Sequence, residues 1–223
     1  MRTALRFRMV GWVATVCVIG EVASAHDYEE GYKWKTWLDM GGTFGTTAHL
    51  QEFVGPVSGR DLKLSPGFQM DLGFGYRPLP WLTVGTEFGM IFNSVEAFGD
   101  FSYHDTSLFQ MPIMATLTLE PPNTGRLVPY IGGGIGGVAS FLTFGANGDW
   151  EPDGTGSDFV LGFEAFAGFR YRVGPHTSLG VVYRFLATEP QNWDVEWWDH
   201  SEFRVGVGSI QVHSFCLVFT SSF

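Results

Sequence analysis

Residues 159–172, FVLGFEAFAGFRYR, alternate so regularly that they suit an extended chain and nothing else. Phe159, Leu161, Phe163, Ala165, Ala167, Phe169 and Tyr171 fall on one side of a strand. Val160, Gly162, Glu164, Phe166, Gly168, Arg170 and Arg172 fall on the other. The first side is an unbroken apolar stripe, and the second mixes glycine with isolated charges. The same division recurs where Phe68, Met70, Leu72, Phe74 and Tyr76 oppose Gln69, Asp71, Gly73, Gly75 and Arg77. A soluble barrel turns its apolar stripe inward and coats the other face with Lys, Glu and Thr. Here the second face is too rich in glycine and too poor in charge to be such a coat. It suits a narrow interior, which leaves the stripe facing lipid. In hydrocarbon every backbone polar group must be paired within the protein, so a spanning sheet has to close on itself.

Eight alternating segments are read, at roughly 33–46, 66–77, 81–94, 107–120, 127–143, 159–172, 177–188 and 209–223. Each reaches the 9–11 residues that a tilted membrane strand requires. The connections alternate between long ones and short ones such as Pro78-Leu79-Pro80 and Val173-Gly174-Pro175-His176. That rhythm predicts an all-β fold, an eight-stranded antiparallel up-and-down transmembrane β-barrel, with tight turns at one rim and loops at the other. An even strand number places both termini on the short-turn side.

The first 25 residues read as a secretory signal peptide. Arg2, Arg6 and Arg8 precede the apolar run Met9 to Ile19, and Ala23-Ser24-Ala25 offers a cleavage site. The expected mature domain is 26–223. Of the 13 Lys+Arg and 23 Asp+Glu in the chain, the leader takes those three arginines and Glu21, so ten bases and 22 acids remain and the charge is −12. Such an acidic chain excludes a nucleic-acid partner, which would need a basic surface. Cys216 is the one mature cysteine, so no intrachain disulfide forms.

Val128-Pro129-Tyr130-Ile131-Gly132-Gly133-Gly134-Ile135-Gly136-Gly137, Val182-Tyr183-Arg184-Phe185 and the C-terminal strand ending on Phe223 resemble bacterial outer-membrane β-barrels of the eight-stranded OmpA-like or opacity kind. The resemblance spans the whole mature chain. It implies an outer-membrane location, contact with lipid and lipopolysaccharide, a monomer, and recognition by the barrel-assembly machinery through Phe215, Leu217, Phe219 and Phe223. Ser221 departs from that pattern, because the family often carries a large apolar residue there. A structural or surface protein with a narrow salt-bridged lumen is the expected function. A small-solute porin and a lipid A-modifying enzyme are the alternatives.

Lys35, Asp39, Asp71, Arg77, Glu87, Glu164, Arg170, Arg172 and Arg184 are assigned to the lumen, where confined charges must pair. If the 78–80 turn pairs residues summing to about 158, Asp71 faces Glu87, and an arginine from across the barrel, Arg184 or Arg170, must bridge them. An acid/base catalytic role for that pair is disfavoured, because a narrow lumen offers no cleft. Gly132 to Gly137 lacks the Lys-Ser/Thr of a phosphate loop and reads as strand. His176-Thr177-Ser178 has the His-x-Ser spacing of lipid A hydrolases but lies in a turn, while His213 and Ser214 point to opposite faces. Asp149, Glu151, Asp153, Asp158, Glu189, Asp194, Glu196, Asp199 and Glu202 put most acid in the loops, without calcium-loop spacing. His49, His104 and His200 stand apart, so no metal, cofactor or catalytic residue is expected. Trp193, Trp197 and Trp198 are the candidate recognition surface, since exposed aromatics favour partner contact.

Overall fold

The computed structural model describes residues 32–45, 48–53, 56–98, 101–102, 106–122, 125–144, 154–196 and 202–223. All regular structure among them is β. Eight strands form the membrane barrel: β1 (Trp34–Gly45), β4 (Gly67–Leu79), β5 (Leu82–Phe98), β7 (Ser107–Leu119), β8 (Leu127–Phe144), β9 (Gly154–Arg172), β10 (Thr177–Thr188) and β13 (Gln211–Ser222). Each pairs antiparallel with its neighbours, in the order β4-β1-β13-β10-β9-β8-β7, and β5 joins β7 to β4. Closure comes from β1 and β13, registered from Lys35↔Ser222 to Gly45↔Val212. The ladder runs to the last residue, where Trp34 and Phe223 exchange N–H···O bonds of 3.0 Å in both directions. Among the described residues the eight-stranded sheet leaves no open edge.

The alternation divides inside from outside as the sequence requires. Phe159, Phe163, Phe169, Leu217 and Ile131 stand exposed on the outer wall, whereas Asp71, Glu87, Arg184 and Thr220 are buried within. Near the end away from the short turns each barrel strand adds one ring to an aromatic band, comprising Phe44, Phe68, Phe92, Phe109, Phe141, Phe159, Phe185 and His213. Trp34, Tyr76, Trp81, Tyr171 and Phe223 mark the other end and are likewise exposed. From Trp34 to Phe44 the chain climbs ten residues, about 25 Å along the barrel axis at roughly 3.3 Å per residue and 40° of tilt. That is the height of an outer-membrane apolar band.

Above the band the barrel continues. The strands β2 (Ala48–Phe53), β3 (Pro56–Leu64), β11 (Gln191–Glu196) and β12 (Glu202–Val207) follow breaks of two or three residues in β1, β4, β10 and β13, and β6 (Phe101–Ser102) pairs with β5. They are ordered β11-β12-β2-β3-β5. The Asn192 amide donates to the Asp158 carboxylate at 2.7 Å and Glu189 N–H to the Leu161 carbonyl at 2.9 Å, which sets β11 against β9. With the upper ends of β5 and β9, these strands form an upper storey where the sequence reading expected only loops. Across each break the inward positions change between odd and even numbers: Thr43 to Ala48, Leu64 to Gln69, Thr188 to Gln191, Val207 to Val212. An odd residue count of this kind is what a β-bulge inserts.

Candidate functional site: the charged lumen

Two charged clusters fill the membrane part of the lumen. Near the short-turn rim the Glu120 carboxylate accepts from Lys35 Nζ at 2.7 and 2.9 Å, from Arg77 Nη2 at 3.1 Å and from Arg170 Nη2. Arg170 also donates to Thr220 Oγ1 at 3.3 Å, and its guanidinium lies 4.3 Å over the Tyr130 ring. Higher up, Arg184 gathers four carboxylates: Asp39 at 2.7 Å, Asp71 at 3.7 Å, Glu87 at 2.5 Å and Glu164 at 3.2 Å. The guanidinium fork suits this task, because its donors point in several directions within one plane. Trp37 Nε1 donates to Glu87 at 2.6 Å and Gln69 Nε2 to Asp71 at 2.7 Å, so neutral donors share the load.

The formal charges of the clusters oppose each other. Three bases against one acid leave the lower cluster at +2, and one base against four acids leaves the upper at −3. Tyr130 and Phe166, with ring centroids 6.4 Å apart, stand between them. A cavity of about 30 Å³ is lined by Lys35, Asp39, Thr83, Tyr130, Arg170 and Arg184 among others, room for water but not for a solute. Glycine makes this filling possible. A Cβ on Gly73 would lie 1.9 Å from the Trp37 ring, and one on Gly132 would lie 2.4 Å from Phe166.

Above the upper cluster the interior turns apolar. Ile91, Val95, Leu108, Met114, Val138 and Leu142 from the long strands meet Ala48, Leu50, Leu62, Trp193, Val195, Val205 and Val207 from the upper hairpins in one buried core. The outer face of this storey is polar, with His49, Asp61, Asp194 and Arg204 in solvent. Arg204 donates to Asp194 at 2.8 Å, which holds the Asp194 carboxyl below the usual aspartate range.

Several sequence expectations change here. The β4–β5 register pairs Asp71 with Gly89 and Glu87 with Gly73, two residues away from direct opposition. Arg184 nevertheless lies within reach of both acids, whereas Arg170 belongs to the Glu120 cluster. Arg172 donates to the Gly125 carbonyl at 3.0 Å, at the rim. Glu120 was overlooked, although its even number places it with Thr116 and Thr118 on the inner face of β7. Trp193 is no recognition surface: it is 0% exposed and its Nε1 donates to Ser140 Oγ at 3.1 Å. Trp197, Trp198, Asp149, Glu151, Asp153, Asp199, His104 and His200 lie outside the described residues, as does the expected signal peptide. His176 sits in a short turn and is tied to Ser222 O at 3.1 Å and to the Tyr32 hydroxyl at 3.3 Å. Phe215, Leu217, Phe219 and Phe223 project outward and are 63%, 70%, 45% and 55% exposed.

A family model described as outer membrane protein beta-barrel domain matches residues 14–210. No curated protein matches the sequence. Among solved structures the chain is similar to the outer membrane protein OprG from Pseudomonas aeruginosa, with a TM-score of 0.60, 13% identity, and coverage of 85% of this chain and 96% of that one. It is similar to Neisserial surface protein A, at TM-score 0.54 and 14% identity over 85% and 97% of the two chains. It is also similar to the outer membrane protease OmpT from Escherichia coli, at TM-score 0.50 and 9% identity over 86% and 97%. At such identities these likenesses speak for the fold alone.

Proposed function

The chain belongs to the outer membrane protein beta-barrel domain family, and on that premise we propose that it is a closed surface protein of the bacterial outer membrane. One observation carries the reading: among the described residues the axis is occupied by the Glu120 cluster, by the Arg184 cluster and by the apolar core above them. A monomeric barrel filled in this way anchors its upper storey and presents it outside the cell, and it does not pass solutes. Outward side chains such as His49, Asp61, Asp194 and Arg204 then belong to the surface available to a partner. Phe215, Leu217, Phe219 and Phe223 on the closing strand serve assembly, as the signal read by the insertion machinery.

The small-solute porin is the second reading, and the water-sized cavity between the two clusters is the feature that favours it. Planar-bilayer recording separates the two. The closed reading expects silence from the native protein. Stepwise currents that change with Arg184→Ala would replace it with the porin. The lipid A-modifying alternative has less behind it, because His176 is engaged in the turn by Ser222 and Tyr32. It would return if lipid A gained or lost an acyl chain on expression in a manner dependent on His176 or His213.

A further inference from the structure

His213 breaks the run of phenylalanines in the extracellular aromatic band. It is half-buried on the lipid side of β13, registered opposite Phe44 on β1 and Phe185 on β10. Phe44 stacks on the imidazole with centroids 5.7 Å apart and planes 11° from parallel, and Phe185 approaches at 5.1 Å. The Tyr183 hydroxyl takes the Nδ1 position at 2.6 Å. Three rings therefore fix the imidazole, and Nε2 is the polar atom left over. None of the described residues offers it a partner.

A ring nitrogen at the border between hydrocarbon and headgroups, walled by apolar rings, is only partly hydrated, so a strong acceptor beside it is favourable. When Tyr183 donates to Nδ1, the neutral imidazole carries its hydrogen on Nε2, and the imidazolium carries one there too. Both forms present an N–H donor at the height of the outer-leaflet headgroups. The densest acceptors at that height are lipid phosphates, whose charged oxygens accept strongly from an N–H donor. Apolar flanks formed by Phe44 and Phe215, 43% and 63% exposed, lie beside the nitrogen where acyl chains would run.

We propose that His213, held by Tyr183, Phe44 and Phe185, is a docking point for a phosphate-bearing lipid headgroup of the outer leaflet. The proposal rests on the outer-membrane placement and is independent of whether the lumen conducts.

The test uses the full mature barrel in nanodiscs containing either lipid A or chemically dephosphorylated lipid A. The native protein is expected to unfold several degrees higher with lipid A, and its His213 Nε2 resonance is expected to shift only in that bilayer. His213→Phe fills the same ring space, so it should unfold at the native temperature in the dephosphorylated bilayer and lose most of the lipid A increment. His213→Lys should retain it. A full increment in His213→Phe, or an Nε2 resonance indifferent to lipid A, overturns the proposal. So does an equal shift on adding inorganic phosphate, which would mean a site for free anions rather than lipid. Heat-modifiable mobility on gels confirms that each variant has folded, and the native resonance decides the matter if His213→Phe has not.

Discussion

Arg184→Met offers the most discriminating perturbation, because one cation serves all four carboxylates of a layer of the lumen. Arg184 is 4% exposed and its four carboxylate partners between 1% and 6%. Methionine fills most of the volume but leaves four acids with no cation among them. Removing one member of a buried ion pair costs about 3–5 kcal/mol. Contacts within one network do not add, so the single-pair figure is the working estimate. A loss of about 4 kcal/mol is a factor of nearly 1,000 in the folding equilibrium. With a urea slope near 2 kcal/mol/M it lowers the midpoint by about 2 M. Tryptophan fluorescence in lipid vesicles, checked by heat-modifiable mobility, reads that midpoint. Glu164→Gln supplies the sign. It reduces the acidic excess and keeps the shape, so it is expected to stay within about 1 kcal/mol of the native protein or to stabilise it. A midpoint unchanged in Arg184→Met, or a Glu164→Gln variant as weak as Arg184→Met, would refute the view that the layer is short of positive charge.

Three further outcomes are expected. Trp193→Ala empties the centre of the upper core, a loss of about 3–5 kcal/mol confined to that storey; limited proteolysis from outside the cell should accelerate while heat-modifiability persists. Ser221→Tyr completes the outward row of β13 and should leave the fold intact without slowing insertion in an assembly time course, and slower insertion counts against the assembly-signal reading. Arg204→Ala should let the Asp194 carboxyl return towards its ordinary range, about 3.9, as followed by NMR titration. Because the folded value of Asp194 is depressed, its small contribution to the β11–β12 hairpin is present above the ordinary value and is lost as pH falls through the depressed one. Protease resistance of the hairpin at neutral pH should scarcely change, since exposed ion pairs contribute little.

The membrane strands were legible because lipid outside and a narrow interior impose one alternation along a dozen residues. The upper storey was not, for two physical reasons. Each break carries an odd residue, so the alternation loses phase at Phe44–Ala48 and again at Val207–Val212. Beyond the break the rule also inverts. In QNWDVE the polar Asn192, Asp194 and Glu196 alternate with Trp193 and Val195 in the order of a soluble strand, in a stretch of only six residues. A reader looking for apolar-out strands sees acid and tryptophan and concludes a loop. The lumenal acids were readable from parity, yet their partners were not. Partner choice depends on which strands face each other across the barrel, and the two-residue difference in the β4–β5 register shows how little the turn sequence constrains that. Glu120 follows the same parity and closes the 107–120 segment, so the reading that found the other lumenal acids reaches it as well.

The inversion of polarity at the aromatic band has a consequence for how such a surface can change over generations. Ala48, Leu50, Leu62, Trp193, Val195, Val205 and Val207 come from two hairpins far apart in sequence and share one interior. Drift in one hairpin is therefore felt by the other, as in the core of a water-soluble protein. Only positions such as His49, Asp61, Asp194 and Arg204, which point away from that interior, can vary independently. Epitopes should consequently diversify in a checkerboard along these strands, every second residue, rather than in blocks.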